Sequence, residues 1–294
     1  MNTTPFSYQI QYNNIIFIES LQKDESKTGK WLYDDLISYT YKAESIAMNH
    51  QTVKDKKELI EVFLGIVQAI IEHDIRPILH LDFHGDENGF ELNPSKEYIS
   101  WKYFCEALIP INVACKNSLI IFMNVCKGFY NALYSMESVL ADKPSPFFMC
   151  IGPHHQVMNI QTRDAYRNFY RHLFETKNFG ESYSLLNREA KTHDIFLADN
   201  MALRIAAHIK STMFTPAYKI KAAIELEALI KKGNKTNCAE NFNKSLKLYL
   251  YAKRQEGIKF IIKIAETFLM IDIYPELRDK FQIESRISEY FKKI

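Results

Sequence analysis

The sequence lacks the features that mark several classes of protein. Its 37 Lys and Arg residues stand against 35 Asp and Glu, a net charge of +2, which is too balanced for dedicated binding of nucleic acid or of a membrane surface. No apolar run approaches the roughly 18 residues that a membrane helix needs. The first residues have neither the basic start nor the apolar stretch of a secretory signal. We therefore expect neither nucleic acid nor a membrane among its partners.

Cysteine is also sparse. The five cysteines are odd in number, scattered, and form no CxxC pair, which predicts a reduced, cytoplasmic protein. The remaining composition, with 47% hydrophobic and 24% charged residues, is close to the average of globular domains and excludes a disordered or collagenous chain. A length of 294 residues fits one large domain or one domain with a smaller extension.

Strand-like apolar runs alternate with helix-like periodic segments in the first part of the chain. Strands are predicted over residues 14–20, 77–84, 118–126 and 146–152, with a weaker one over 43–50. Helices are predicted over 29–39, 54–72 and 100–109. Because parallel strands need crossover connections, this order predicts an α/β fold with a mostly parallel sheet flanked by helices. Asn88-Gly89 predicts a hairpin with a type I′ turn after the second of the four strands.

The strand signal stops near residue 160. Helices are predicted over residues 164–175, 196–211, 217–231 and 246–273, with a polar linker over 233–245. The chain therefore divides into an α/β domain over 1–210 and an α-helical C-terminal extension over 211–294.

Two predicted strands end in residues that carry chemistry. His84-Gly85 closes one strand, and Cys126-Lys127-Gly128 closes another. In an open parallel sheet, functional groups gather beyond the carboxyl ends of the strands. If the two strands are neighbours, His84 lies beside Cys126 and activates it as a nucleophile. The backbone amides of Gly85 and Cys126 are then candidates for the oxyanion hole, because a glycine lets a substrate carbonyl approach closely.

These residues resemble those of a known family. Asn124-Val-Cys126-Lys-Gly128 resembles the nucleophile motif of caspases, and His84-Gly85-Asp86-Glu87 resembles their His-Gly segment. The 42 residues from His84 to Cys126 are close to the roughly 50 of caspases. The resemblance extends to the wider superfamily of caspases, metacaspases, separases and bacterial CHAT-type peptidases, and covers about residues 10–200. Asn124 departs from the Gln or Asp of relatives, Val125 from their Ala, and Lys127 from their Arg, Gln or His.

The resemblance implies a caspase-like peptidase domain over 1–210. It implies a cysteine endopeptidase with a Cys126–His84 dyad that cuts a specific protein substrate without a metal or other cofactor. The substrate side chain before the cleaved bond stays open: an acidic pocket for Arg or Lys would draw on Glu19 or Asp82, and a pocket for Asp would need an Arg or Lys that we do not assign. Asn124 has the position that often lines this pocket in relatives, and His154 would line the cleft. The resemblance also implies regulation, by a regulatory protein or an activating ligand acting through the helical tail or the polar segment 22–30. Bacterial relatives of this kind act in stress and antiphage defence.

Two other functions stay open. His80, Asp82 and His84 alternate on one predicted strand and therefore share a face, so they are candidate ligands of a zinc or manganese ion in a metal-dependent hydrolase. Loss of activity with a chelator would indicate that function, and loss of activity on replacing Cys126 would indicate the peptidase. A catalytically inactive caspase-like binding protein is the third function, with residues 246–273 as the partner surface if their Tyr and Phe side chains are exposed.

Overall fold

A computed structural model describes residues 10–39, 46–157, 159–213, 215–232 and 242–292. The described strands are β1 Asn14–Ser20, β2 Ala47–Thr52, β3 Pro77–Gly85, β4 Gly89–Glu91, β5 Tyr98–Ser100, β6 Ile120–Val125, β7 Met149–Pro153 and β8 His193–Leu197. The described helices are α1 Thr28–Ile37, α2 Lys56–His73, α3 Trp101–Ala114, α4 Tyr130–Leu140, α5 Asn159–Thr176, α6 Phe179–Ala190, α7 Ala198–Met213, α8 Pro216–Lys232, α9 Phe242–Phe268, α10 Leu277–Phe281 and α11 Ile283–Lys292.

One sheet organises the first part of the chain. Its strand order is β2-β1-β3-β6-β7-β8, and the first five of these strands run parallel. β8 runs antiparallel to β7 at one edge, while β4 and β5 form a small antiparallel extension of β3. The predicted fold class, an α/β protein with a mostly parallel sheet, flanking helices and a helical C-terminal region, is confirmed.

The central strands are apolar because both faces of the sheet are covered. Every residue of β1 and β6 is buried, which is why their sequences read as continuous apolar runs instead of an alternating pattern. On one face, His80 and Phe122 meet the rings of α5, with ring centroids 4.7 Å apart for His80 and Tyr166 and 5.7 Å apart for Phe122 and Tyr170.

The opposite face packs against α3. Phe83 of β3 stacks on Phe90 at 4.6 Å, and Phe90 in turn meets the ring of Phe104 edge-on at 5.2 Å. Since successive side chains of a strand point to opposite faces, Phe83 lies on the α3 face, and its neighbours Asp82 and His84 lie on the α1 and α5 face.

The prediction that no strand follows residue 160 is wrong, because β8 lies at His193–Leu197. It is a five-residue strand with a single neighbour, and the charged Asp194 interrupts its apolar pattern. Its last residues, Phe196 and Leu197, run directly into α7 without a turn residue. They therefore fit the helical pattern that predicted a helix from residue 196.

The predicted hairpin after β3 forms, but the predicted type I′ turn is wrong. Neither Asn88 nor Gly89 has a positive φ. The Asp86 carboxylate instead accepts hydrogen bonds from the backbone N–H groups of Asn88 and Gly89, at 2.7 and 3.2 Å. Gly89 is needed for a different reason, since a Cβ there would lie 2.1 Å from the carbonyl oxygen of Ile99 on β5.

Four described helices, α4, α6, α10 and α11, lie outside the predicted helical ranges. For α6 the sequence carries a usable start signal, because Asn178 is followed three residues later by Glu181. The Asn178 side chain accepts a hydrogen bond from the Glu181 N–H at 3.1 Å, the arrangement expected of an N-cap.

The chain folds as two compact units that divide between Ala198 and Asp199. The second contains α8 and α9, which match the helices predicted from residues 217 and 246, although α9 ends at Phe268. The sequence prediction put the division between residues 210 and 211, within α7. Of the predicted linker, residues 233–241 lie outside the described residues, and 242–245 belong to α9.

None of the helices in the described ranges is long and apolar enough to cross a membrane.

Leu81→Ala tests the packing of the central strand. Leu81 of β3 is fully buried, so its truncation should lower the free energy of unfolding by about 2–5 kcal/mol. Leu64→Ala is the matched control, because Leu64 of α2 is 62% exposed and its truncation should change stability by less than about 0.5 kcal/mol. Urea unfolding followed by circular dichroism measures both, and equal losses would contradict the described core.

Candidate active site

The carboxyl ends of β3 and β6 form the centre of the candidate site. The two strands are parallel neighbours in which Asp82 pairs with Asn124 and Phe83 with Val125. His84 follows Phe83 on β3, and Cys126 follows Val125, the last residue of β6. The condition for the predicted dyad, that the two strands are neighbours, is therefore met. The Cys126 thiol itself faces the Val157 carbonyl, with 3.9 Å between Sγ and the oxygen, and the pairing of the thiol with the His84 ring stays a prediction.

Cys126 lies at the start of a sharp turn. The following residue, Lys127, has a φ of 57°, a left-handed conformation that costs a non-glycine residue roughly 1–2 kcal/mol. Its N–H donates to the His155 carbonyl at 3.1 Å. At Gly128 a Cβ would lie 2.7 Å from the Cβ of Met123, so only glycine fits. The turn ends the buried strand β6 and leaves Cys126 partly exposed at the carboxyl end of that strand.

Gly85 brings the two strand ends together. A Cβ on Gly85 would lie 2.5 Å from Cγ1 of Val125 and 3.2 Å from the carbonyl oxygen of Cys126. The physical need for glycine is therefore the close packing of β3 on β6, whereas the sequence had suggested space for a substrate carbonyl. The oxyanion role of the Gly85 and Cys126 amides stays a prediction.

The His84 ring is held by a carboxylate that the sequence did not identify. Its Nε2 lies 2.9 Å from Oε1 of Glu25, in the segment between β1 and α1, and the His84 side chain is 44% exposed. Burial raises the pKa of Glu25, but hydrogen bonds from His84 and from the Gln22 N–H outweigh this effect and lower the pKa below its usual value. Glu25 is thus ionised at neutral pH. The sequence does carry one signal for Glu25, since this residue lies in the polar segment that directly follows β1, the strand beside β3.

Glu19, Asp82 and Asn124, predicted to bind substrate, are buried in the protein. Asp82 Oδ2 accepts hydrogen bonds from the Thr28 hydroxyl and from the Gly29 N–H, the latter at 2.7 Å. Its other oxygen accepts from the Asn124 amide at 3.1 Å, and Glu19 accepts from the N–H of residue 30 at 3.0 Å. These side chains anchor the N-terminus of α1, and their substrate-binding roles stay predictions.

The need for these carboxylates follows from the sequence of α1. Its N-cap, Lys27, makes no side-chain capping hydrogen bond, and its first turn contains no acidic residue. The free N–H groups and the positive end of the helix dipole therefore need partners from elsewhere. Glu19 and Asp82, at the ends of the adjacent strands β1 and β3, supply them.

Asp82 is a buried carboxylate beside a second one. Burial raises its pKa to about 7, the Thr28 and Gly29 hydrogen bonds oppose that rise, and the nearby charge of Glu19 adds to it.

His154 lies beside the turn that follows Cys126. It comes directly after β7, pairs through Nε2 with Asp194, and meets the edge of the Phe129 ring at 4.6 Å. The N–H of Phe129 donates to the Pro153 carbonyl at 3.0 Å. His154 therefore borders the Cys126 turn, as expected of the predicted cleft-lining segment, and its contact with substrate stays a prediction.

The residues proposed as metal ligands do not converge. His80 and His84 are four residues apart on one strand, and a strand rises about 3.3 Å per residue, so roughly 13 Å separates them. The His80 ring is fully buried, with Nδ1 3.1 Å from the Tyr170 hydroxyl, and burial lowers its pKa to about 3. Among the described residues, no group of three or more His, Cys, Asp or Glu residues could hold a metal ion.

Burial separates Cys126 from the other described cysteines. Cys105, Cys115 and Cys150 are buried, whereas Cys126 is partly exposed. Burial raises the pKa of all three buried thiols above the ordinary value, which keeps them protonated and unreactive. Cys238 lies outside the described residues.

Searches against protein-family profiles and against curated proteins found no match for this chain.

Asp82→Asn should change how stability depends on pH. The unfolded chain ionises Asp82 near its ordinary value of 3.8, while the folded protein keeps the proton until about pH 7. Stability is therefore lost as the pH rises from about 4 to 7. The variant should lose less stability over this range than the wild type. Urea unfolding across the range measures this, with Asp34→Asn, on the exposed side of α1, as the control. Parallel curves for wild type and Asp82→Asn would contradict the assignment.

Cys126 should be the fastest of the four described cysteines to react with iodoacetamide in the native protein. We expect its rate to exceed those of Cys105, Cys115 and Cys150 by more than about tenfold, because only an accessible thiol forms a reactive thiolate. Peptide mapping by mass spectrometry measures each site separately, and urea should equalise the rates. Native labelling of a buried cysteine as fast as Cys126 would contradict the structure.

Proposed function

We propose that this protein is a cysteine endopeptidase in which Cys126 is the nucleophile and His84 the general acid and base. The observation that supports the proposal is the parallel pairing of β3 and β6 up to Phe83 and Val125, because His84 and Cys126 are the residues that follow this pair. Cys126 is partly exposed, whereas the other three described cysteines are buried, and this difference supports the choice of Cys126 as the nucleophile.

The proposed reaction has two steps. In the first, His84 takes the thiol proton, Sγ attacks the carbonyl carbon of the scissile peptide bond, and the amine leaves with the proton from His84. In the second, His84 takes a proton from water, the hydroxide attacks the thioester, and the freed Sγ regains the proton. In both tetrahedral intermediates the negative oxygen would accept from the Gly85 and Cys126 N–H groups.

The turn after Cys126 supports this assignment. A nucleophile on a strained strand-to-helix turn is presented at the edge of a sheet, where a substrate can reach it. Lys127 adopts such a left-handed conformation between β6 and α4. The segment around His154, which is bonded to this turn, would form one wall of the substrate cleft.

The resemblance to caspases, metacaspases, separases and CHAT-type peptidases supports the same function. It rests on His84-Gly85 and Cys126-Lys127-Gly128 in this order and at this spacing. By that analogy alone, the protein would cut a specific protein substrate under regulation, in a bacterial stress or antiphage pathway.

A fluorogenic peptide library that varies the residue before the scissile bond tests the proposal. Cys126→Ala and His84→Ala should each lower kcat/KM by more than about 100-fold, because each removes a group that reacts directly. Cys115→Ala and His73→Ala are matched controls that should retain activity. Cys115 is a buried residue that does not belong to the proposed site, and His73 is an exposed residue of α2.

A chelator added to the same assay separates the alternatives. Activity that survives Cys126→Ala and is lost with chelator would contradict the peptidase and favour a metal-dependent hydrolase. If no peptide of the library is cleaved, a binding protein is the second candidate function. The observation that favours it is the exposure of three large apolar side chains of α9, Leu248, Tyr251 and Phe260, which are each about 60% exposed, as a partner surface requires.

A further inference from the structure

We propose that Glu25 is the positioning residue of the dyad: its carboxylate holds the Nε2–H of His84, which leaves Nδ1 as the base for Cys126. This inference rests on the proposed peptidase function and adds a third residue to it. The observation that carries it is the 2.9 Å separation of Glu25 Oε1 and His84 Nε2.

The protonation of the ring follows from the partner. An ionised carboxylate can only accept hydrogen bonds, so the Nε2 that contacts it carries the proton. In a neutral imidazole the other nitrogen, Nδ1, then has the free lone pair. When Nδ1 takes the thiol proton, the ring becomes positive beside a negative carboxylate, and Glu25 stabilises the imidazolium–thiolate pair.

The chain fixes Glu25 at both ends of its segment. Its Oε2 accepts from the Gln22 N–H at 2.7 Å, and Lys27 Nζ donates to the Leu21 carbonyl at 2.6 Å. On the other side, Thr28 and the start of α1 are anchored on Asp82, which lies two residues before His84 on β3. The contacts that hold the start of α1 therefore also hold Glu25 close to His84.

The other charged groups near the pair have partners of their own. Asp82 accepts hydrogen bonds from the start of α1. Glu91, the residue paired with His84 across the hairpin, forms an ion pair with Lys96 at 2.8 Å. Lys27 lies near Glu25 and stabilises its charge. Glu25 accepts the hydrogen bond of the His84 ring, whereas Asp82 acts on that ring through its charge.

Glu25→Gln tests this role, with Glu91→Gln as the matched control that removes a carboxylate from the residue opposite His84. We expect Glu25→Gln to lower kcat by roughly tenfold or more with little change in KM. The fall of activity on the acidic side should move to higher pH, because the imidazolium–thiolate pair loses the negative charge that stabilises it. Glu25→Asp should retain more activity than Glu25→Gln, and Glu91→Gln should stay within twofold of wild type. Thermal unfolding should show that all variants remain folded.

The rate of iodoacetamide reaction at Cys126, measured from pH 5 to 9, is the second readout because it needs no peptide substrate. Glu25→Gln should lower this rate near pH 6 in the same direction as His84→Ala. If no peptide is cut by any variant but the alkylation depends on Glu25 and His84, the peptidase function fails and the positioning role stands.

Three results would overturn the inference. Unchanged cleavage and alkylation in Glu25→Gln would remove the positioning role and leave the peptidase intact. Faster cleavage in Glu25→Gln would show that Glu25 restrains His84 in an inactive state. Equal losses in Glu25→Gln and Glu91→Gln would show a general effect of local charge.

Discussion

The hydrogen-bonded register between β3 and β6 determines where each side chain of the candidate site lies. Because Phe83 pairs with Val125, the residues that follow them, His84 and Cys126, come at the same level of two neighbouring strands. A shift of the register by one residue would pair Val125 with a side chain that projects to the opposite face. Gly85 fits this register because its missing side chain leaves room for Val125, so the packing of the strand ends and the geometry of the dyad depend on the same contact.

The start of α1 connects this register to the rest of the site. A helix without a capping side chain needs hydrogen-bond acceptors at its N-terminus, and the ends of β1 and β3 provide Glu19 and Asp82. Burial of Asp82 raises its pKa, and the nearby charge of Glu19 adds to this rise. The contacts of these two carboxylates hold the start of α1 close to β3, and Glu25, just before α1, contacts His84.

Part of this structure could be predicted from local sequence. β1, β6 and β7 are largely apolar runs, β3 is apolar apart from His80, Asp82 and His84, and the order of strands and helices indicates a parallel sheet. His84 and Cys126 could therefore be selected as residues near strand ends. The sequence does not distinguish β8 from the start of α7, because a short edge strand with one exposed charged residue has no clear hydrophobic pattern of its own. The turn at Asn88-Gly89 depends on the Asp86 side chain, which replaces the backbone conformation that the dipeptide favours.

The tertiary roles of the acidic residues were beyond a reading of local patterns. The sequence predicts Glu19 and Asp82 as substrate ligands, and that role stays a prediction, but their contacts with α1 could not be predicted because they depend on how the chain returns after β1. Glu25 belongs to a segment with no periodicity, and its function depends on a contact with His84, 59 residues along the chain.

Covalent capture tests the central claim, the pairing of His84 with Cys126, most directly. Native protein would be treated with a panel of peptidyl acyloxymethyl ketones, and the adducts would be mapped by mass spectrometry. The proposed dyad predicts a single thioether on Cys126 that forms much more slowly in His84→Ala and in the unfolded chain. Labelling of Cys126 at the same rate in wild type, His84→Ala and unfolded protein would contradict it.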